Sequence, residues 1–195
     1  MKRLILGSNS PRRRELLAGL DVPFSVDTLN SFEESFDPGV PHEQVPVLMS
    51  EGKSLGFHRP LGEDELLLTA DTMVLLHDRG ADSPILGKPR DRQEARKMLR
   101  ELSGRTHEVI TAVTLRDSRR MKTLTDSTLV TFRELTEREI ESYVERYSPL
   151  DKAGAYGVQE WIGYVAITGI QGSFYNVMGL PVHKVYDLLK EFDCI

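Results

Sequence analysis

Four short segments of this chain carry residue types suited to phosphate chemistry. The first is Gly7-Ser8-Asn9-Ser10-Pro11-Arg12-Arg13, where an apolar run gives way to a helix start. Free backbone N–H groups at a helix start point outward and carry partial positive charge. Ser8 and Ser10 add hydroxyl donors, and the forked guanidinium groups of Arg12 and Arg13 match phosphate oxygens. Arginines in a first turn oppose the helix dipole, at a cost of roughly a few tenths of a kcal/mol each. A local choice that works against the helix points to function. The plainer alternative is a capped helix with a solvated basic turn.

The second segment is Leu66-Leu67-Leu68-Thr69-Ala70-Asp71-Thr72-Met73-Val74, an apolar strand interrupted by one carboxylate. A buried carboxylate needs a cation or a metal beside it. Asp71 is therefore a candidate to bind a divalent ion, to activate water, or both. An exposed strand end is the alternative. The third segment is Leu86-Gly87-Lys88-Pro89. It is not a P-loop, because Gly80 is too far upstream and Pro89 stands where Ser or Thr is required. Alone, Lys88 reads as a surface lysine.

The fourth segment is Leu150-Asp151-Lys152-Ala153-Gly154-Ala155-Tyr156-Gly157-Val158-Gln159. Its glycines let a ligand approach the backbone, and Gln159 offers both a donor and an acceptor to a base edge. A glycine-rich loop between a helix and a strand is the bland alternative. Glu33, Glu34 and Lys53, taken singly, read as solvated charges. The histidines lack metal-ligand spacing and read as structural, and no G-x-S-x-G or G-x-G-x-x-G motif is present.

Composition narrows the class. The 195 residues are 39% hydrophobic and 28% charged, an ordinary globular balance that supports a core without disulfides or a structural metal. The single cysteine, Cys194, reads as a tail residue without chemistry and suits a reducing compartment. The apolar run Leu4-Ile5-Leu6 is too short for a signal-peptide core, and no stretch is long enough to span a membrane. A cytoplasmic protein is expected. The net charge of −5 argues against nucleic-acid binding and for a small anionic ligand in a local basic pocket.

These residues need elements to hold them. Leu4–Gly7, Phe24–Thr28, Leu66–Leu76 and Gly163–Ile170 read as strands. Thr106–Leu115 and Leu124–Phe132 read as paired strands. Helices are expected over Pro11–Leu20, His42–Phe57, Asp91–Leu102, Thr136–Tyr147 and Pro181–Phe192, with Ser10 and Asp91 as N-caps. Thr136 and Glu139 stand in capping-box spacing. Gly52 weakens the second of these helices. Asp78-Arg79-Gly80 reads as a turn. The alternation predicts an α/β fold with a mixed sheet.

Taken in order, these segments resemble the Maf family of septum formation inhibitor-like proteins. The resemblance spans essentially the whole chain, as a single domain over residues 1–195. It is carried by Ser8-Asn9-Ser10-Pro11-Arg12-Arg13 with Glu15-Leu16-Leu17, by Ala70-Asp71-Thr72, and by Leu86-Gly87-Lys88-Pro89. Leu102-Ser103-Gly104-Arg105-Thr106-His107, Asp151-Lys152-Ala153-Gly154-Ala155-Tyr156-Gly157 and Met178-Gly179-Leu180-Pro181 complete it.

The resemblance implies a nucleotide pyrophosphatase yielding a nucleoside monophosphate and pyrophosphate. It also implies a twisted mixed sheet with flanking helices, in two lobes about a central cleft, like that of inosine triphosphate pyrophosphatases. By resemblance, Asp71 is the proton acceptor, and Ser8, Arg12, Arg13, Glu33, Lys53 and Lys88 match phosphate and metal positions. Asp71 and Glu33, with Glu34 as the alternative to Glu33, are the metal ligands so implied, for Mg²⁺ or Mn²⁺. Arg12, Thr72 and Gln159 match the positions that select dTTP and UTP. Glu160-Trp161-Ile162 follows Gln159 where the family usually has glycine at once. The implied partner is a nucleoside triphosphate, with neither nucleic acid nor membrane, and a homodimer is allowed. The second reading is a non-catalytic, nucleotide-binding regulator of cell division.

Overall fold

The computed structural model describes residues 2–77 and 84–195. The turn expected at Asp78-Arg79-Gly80 lies outside them. In chain order the elements are β1 (Arg3–Leu6), α1 (Pro11–Ala18), β2 (Phe24–Val26), α2 (Val45–Leu55), β3 (Glu65–Leu75), β4 (Ile85–Leu86) and α3 (Arg92–Leu102). They continue with β5 (Thr106–Arg116), β6 (Met121–Phe132), α4 (Glu137–Tyr147), α5 (Trp161–Ala166), β7 (Ile167–Gln171), α6 (Phe174–Met178) and α7 (Val182–Glu191).

The strand order is β2-β1-β3-β5-β6-β7, with β4 paired to β3. Pairing is parallel for β1 with β2 and with β3, and antiparallel for β3 with β4 and β6 with β7. The sheet is therefore mixed and the fold α/β, as expected. Parallel neighbours need a crossover, which α1 supplies between β1 and β2.

The chain divides into two compact units. The first comprises Met1–Asp71, Thr111–Asp126 and Gly179–Ile195, and the second Thr72–Ile110 and Ser127–Met178. In the first unit β1 and the start of β3 are continuously buried through Leu4, Leu6, Leu66, Leu67 and Leu68. That is why both read as unbroken apolar runs. Leu188, Leu189 and Phe192 from the end of α7 are also buried, as is Cys194, whose thiol reaches the Lys2 carbonyl. The chain end is thus anchored where a free tail was expected. In the second unit α3 buries Ala95, Met98, Leu99 and Leu102, and Asp91 caps it by accepting from the Glu94 N–H at 2.8 Å. The Thr136–Glu139 capping box is formed at the start of α4.

Two expectations fail in part. The strand read at Gly163–Ile170 is a helix up to Ala166, and only Ile167–Gln171 is extended. Here a short apolar run was ambiguous by periodicity, and a close approach decided it. The Gly163 N–H bonds Glu160 O at 2.9 Å, and a Cβ on Gly163 would lie 1.9 Å from Val158 O. The helix read at His42–Phe57 is a 3-10 turn over His42–Gln44 followed by α2, with Pro46 in its first turn. Phe57 leaves the helix to pair with Asn30 in an isolated bridge. The strand β4 and the helix α6 were not foreseen. Among the described residues no helix is long and apolar enough to cross a membrane.

Candidate active site

The first unit contains Ser8, Arg12, Arg13, Glu33, Lys53 and Asp71, while Thr72, Lys88 and Gln159 belong to the second. The start of α1 follows β1 directly. Ser10 is its N-cap, accepting from the Arg13 N–H at 3.4 Å, and Pro11 begins the helix. The buried Ser8 hydroxyl accepts from the Ser10 N–H and from Arg13 Nη1, each at 3.3 Å. Arg13 Nε donates to Gly179 O at 2.9 Å, which ties the Met178-Gly179-Leu180-Pro181 segment to the start of α1. Gly179 has φ of 116°, a conformation that only glycine adopts without strain. Burial pulls the Arg13 guanidinium below its ordinary value, and the charge of Asp71 opposes that shift. Arg13 thus feels Asp71 electrostatically.

Asp71 is buried, as its place in an apolar strand predicts, and Lys53 supplies the cation it needs. Lys53 Nζ donates to Asp71 Oδ1 at 2.6 Å and lies 3.1 Å from Glu34 Oε1. Glu33 is exposed, and its neighbour Glu34 is the member of the acidic pair that meets Lys53.

The placement of Glu34 has a local cause. Asn30 donates to the Lys53 carbonyl and accepts from the Phe32 N–H at 2.7 Å. The Ser31 N–H bonds Gly56 O at 2.9 Å. The Phe32 ring lies against α2 at Gly52, where a Cβ would meet it at 2.2 Å. The glycine that weakens α2 is the one that lets residues 30–34 lie against it.

α2 itself is held by hydroxyl groups. Ser50 Oγ bonds Thr69 O at 3.2 Å and Thr114 Oγ1 at 2.8 Å, and Thr69 Oγ1 returns a bond to Ser50 O at 2.8 Å. The guanidinium of Arg116 donates to the hydroxyl and the carbonyl of Ser54. These contacts fix the turn that carries Lys53.

In the second unit Lys88 is exposed, following β4 and Gly87. The carbonyl of Gly87 accepts from the Gly154 N–H at 3.1 Å, joining the third and fourth sequence segments. Lys152 is buried between Asp151 Oδ1 at 2.7 Å and Glu160 Oε1 at 3.1 Å. The Oε1 atom of Gln159 is buried and has no hydrogen-bond partner among the described residues. Burial holds His107 neutral, with its pKa lowered to about 3, and it bonds the Tyr156 hydroxyl at 2.8 Å inside an aromatic cluster with Phe132.

Sequence reasoning left Glu33 and Glu34 unseparated and missed the contact of Phe32 with α2. An unexplained glycine inside a helical pattern, Gly52, was the available signal for that contact.

Among the described residues no group of three or more His, Cys, Asp or Glu side chains is placed to hold a metal ion. The donor set nevertheless fits a hard cation. Asp71 and Glu34 offer carboxylate oxygens around one positive charge, and Mg²⁺ is commonly held by one or two carboxylates with substrate phosphates completing its shell.

A strand-to-helix turn bearing Ser8 and Arg13, with a buried carboxylate–lysine pair in the same unit of a mixed α/β sheet, is an arrangement suited to a phosphate-bearing ligand. The chain belongs to the Maf family, whose description "Maf-like protein" matches residues 3–192. It is 48% identical over 192 residues to a dTTP/UTP pyrophosphatase of Porphyromonas gingivalis, covering 97% of this chain and 94% of that one. A dTTP/UTP pyrophosphatase of Bacteroides thetaiotaomicron is 47% identical over 189 residues, covering 97% and 95%. One from Christiangramia forsetii is 44% identical over 188 residues, covering 96% and 93%. Membership of the family supports a metal-dependent mechanism in general.

Proposed function

We infer that this chain is a dTTP/UTP pyrophosphatase, hydrolysing its substrate between the α- and β-phosphates to a nucleoside monophosphate and pyrophosphate. The reading rests on family membership over residues 3–192 and on relatives of that name matched nearly end to end. The observation that carries it is the buried Asp71, bonded to Lys53 at 2.6 Å in the unit that also holds the Ser8–Arg13 helix start. Residues 1–195 act as one pyrophosphatase domain, a view supported by the single family match.

Phosphoanhydride hydrolysis needs positioning and charge neutralisation more than covalent chemistry. Ser8, the first N–H groups of α1, Arg12 and Arg13 bind phosphate oxygens. Lys53 adds positive charge against the leaving pyrophosphate, a part that the sequence resemblance also gives to Lys88. Asp71 accepts a proton from the attacking water as the water oxygen bonds the α-phosphorus and the bond from that phosphorus to the α–β bridging oxygen breaks, releasing pyrophosphate. A divalent cation, Mg²⁺ or Mn²⁺, neutralises phosphate charge and lowers the pKa of water when bound. Asp71 would hold it together with the acidic pair. The sequence resemblance gives Glu33 that part, and the contact of Glu34 with Lys53 favours Glu34. Base selection is given by the sequence resemblance to Arg12, Thr72 and Gln159.

The test is pyrophosphate release from the common nucleoside triphosphates with Mg²⁺ or Mn²⁺. Turnover of dTTP and UTP well above GTP and ATP is expected. Equal turnover of all would overturn the base assignment, and none at all would overturn the activity.

A further inference from the structure

The residue that departs from the family pattern, Glu160, sits at a mechanical junction. The turn Gly157–Glu160 is closed by the Glu160 N–H bonding Gly157 O at 3.0 Å. One hydroxyl group crosses the same turn. Tyr143, wholly buried on α4, accepts from the Gly157 N–H at 3.0 Å and donates to Glu160 Oε2. The other oxygen of Glu160 lies 3.1 Å from the buried Lys152 ammonium.

Both ends of the turn are therefore tied to one side chain of a packed helix. Between those ends stands Gln159. Its Oε1 is buried without a hydrogen-bond partner among the described residues, so an acceptor is left over for a donor.

Crowding supports the same picture. A Cβ on Gly157 would come within 2.7 Å of the Glu160 carboxyl carbon, and one on Gly163 would lie 1.9 Å from Val158 O. Glycine is therefore required at 163, and a side chain at 157 would displace the Glu160 carboxylate. Burial, and then the hydrogen bond to Glu160, push the Tyr143 hydroxyl above its ordinary pKa, so it stays a donor.

We propose that Tyr143 and Glu160 form a clamp that fixes Gln159 for base selection, making both of them specificity-determining positioning residues. The proposal rests on the reading of Gln159 as a base-contacting residue. An amide oxygen accepts, so the ligand atom it meets must carry hydrogen. Thymine and uracil present N3–H in that role, whereas cytosine presents a lone pair at N3. A site that hydrogen-bonds its ligand rejects an analogue lacking the donor, because its own buried group is left unpaired. That rejection needs a fixed acceptor. A carboxamide free to turn would offer its NH₂ to cytosine instead.

Tyr143→Phe keeps the ring and removes both bonds. Glu160→Gln keeps the shape and removes the charge that holds Lys152. The experiment measures kcat/KM for dTTP and dCTP with Mg²⁺ in the full-length chain, for wild type, both variants and Gln159→Leu, well below each melting temperature. The expected result is a fall of about tenfold or more in the dTTP:dCTP ratio for both variants, with most of the change in the dCTP rate. A merely structural role would lower both rates together and leave the ratio unchanged. If both variants keep the wild-type ratio while Gln159→Leu loses it, the clamp is refuted and the base reading stands. If Gln159→Leu also keeps the ratio, the base reading fails and the clamp fails with it. Should Tyr143→Phe not fold, the ratio for Glu160→Gln decides alone.

Discussion

The Lys53 ammonium lies 2.6 Å from Asp71 and 3.1 Å from Glu34, so a single cation joins a buried carboxylate to a mostly exposed one. This arrangement separates Glu34 from Glu33 by a measurable consequence. Glu34→Gln is expected to raise the Mn²⁺ concentration for half-maximal dTTP turnover by about tenfold or more, the usual cost of losing a group that supports a metal site. Glu33→Gln is expected to change it little. The reverse ranking would restore Glu33 to the metal.

Gly52 yields a second expectation. By helix propensity alone, Gly52→Ala favours α2 by about 1 kcal/mol. Its Cβ would, however, stand 2.2 Å from the Phe32 ring and push residues 30–34 off the helix. The expected outcome is an unchanged or lower melting temperature, because the lost contacts and overpacking offset the helix gain, together with a several-fold higher Mn²⁺ requirement. A raised melting temperature with an unaltered metal requirement would show that the Phe32 contact has no bearing on the site.

The contrast between these positions explains how much the sequence disclosed. The Ser10 and Asp91 caps and the Thr136–Glu139 box depend on near neighbours, and all three are formed. So is the burial of Asp71, which its apolar flanks predict. Gly163–Ile170 was misread because the deciding contact, Gly163 against Val158 O, is a clash avoided and leaves no periodic signature. Glu34 was indistinguishable from Glu33 because its role comes from Phe32 and Asn30 meeting a helix twenty residues further on. Tyr143 reads as an ordinary core position of an amphipathic helix, and nothing in its spacing marks the hydroxyl.

A third expectation concerns acid stability. Hydrogen bonds from Arg59, then from the Gly62 N–H, hold the Glu65 carboxyl at about 2, below its ordinary 4.5. A carboxyl whose pKa is depressed on folding contributes stability above the unfolded value, and loses it as pH falls through the folded one. Glu65→Gln should therefore destabilise the protein at neutral pH by about 1–2 kcal/mol. The gap between wild type and variant should be full above about pH 4.5 and close as pH approaches 2. Urea denaturation across that range checks it, and a gap independent of pH would remove the ion pair as its cause.

The last expectation concerns Asp71 itself. Asp71→Asn keeps the size of the side chain and loses its charge and basicity. Lys53 would then lose its closest carboxylate, 2.6 Å away, and keep only the more exposed Glu34. Because Asn still accepts a hydrogen bond from Lys53, the fold should survive with a small change in melting temperature. Turnover should fall by at least the roughly 10²-fold typical of a lost acid–base group. Two measurements separate the roles left to this residue. If Asp71 is the base, the pH–rate profile loses its acidic limb, while the Mn²⁺ requirement stays near wild type. If it is chiefly a metal ligand, raising Mn²⁺ recovers part of the rate and the acidic limb remains. Near-normal turnover with a lowered melting temperature would exclude both roles. It would leave Asp71 as the buried counter-charge of Lys53, and would move the search for the base to the acidic pair beside it.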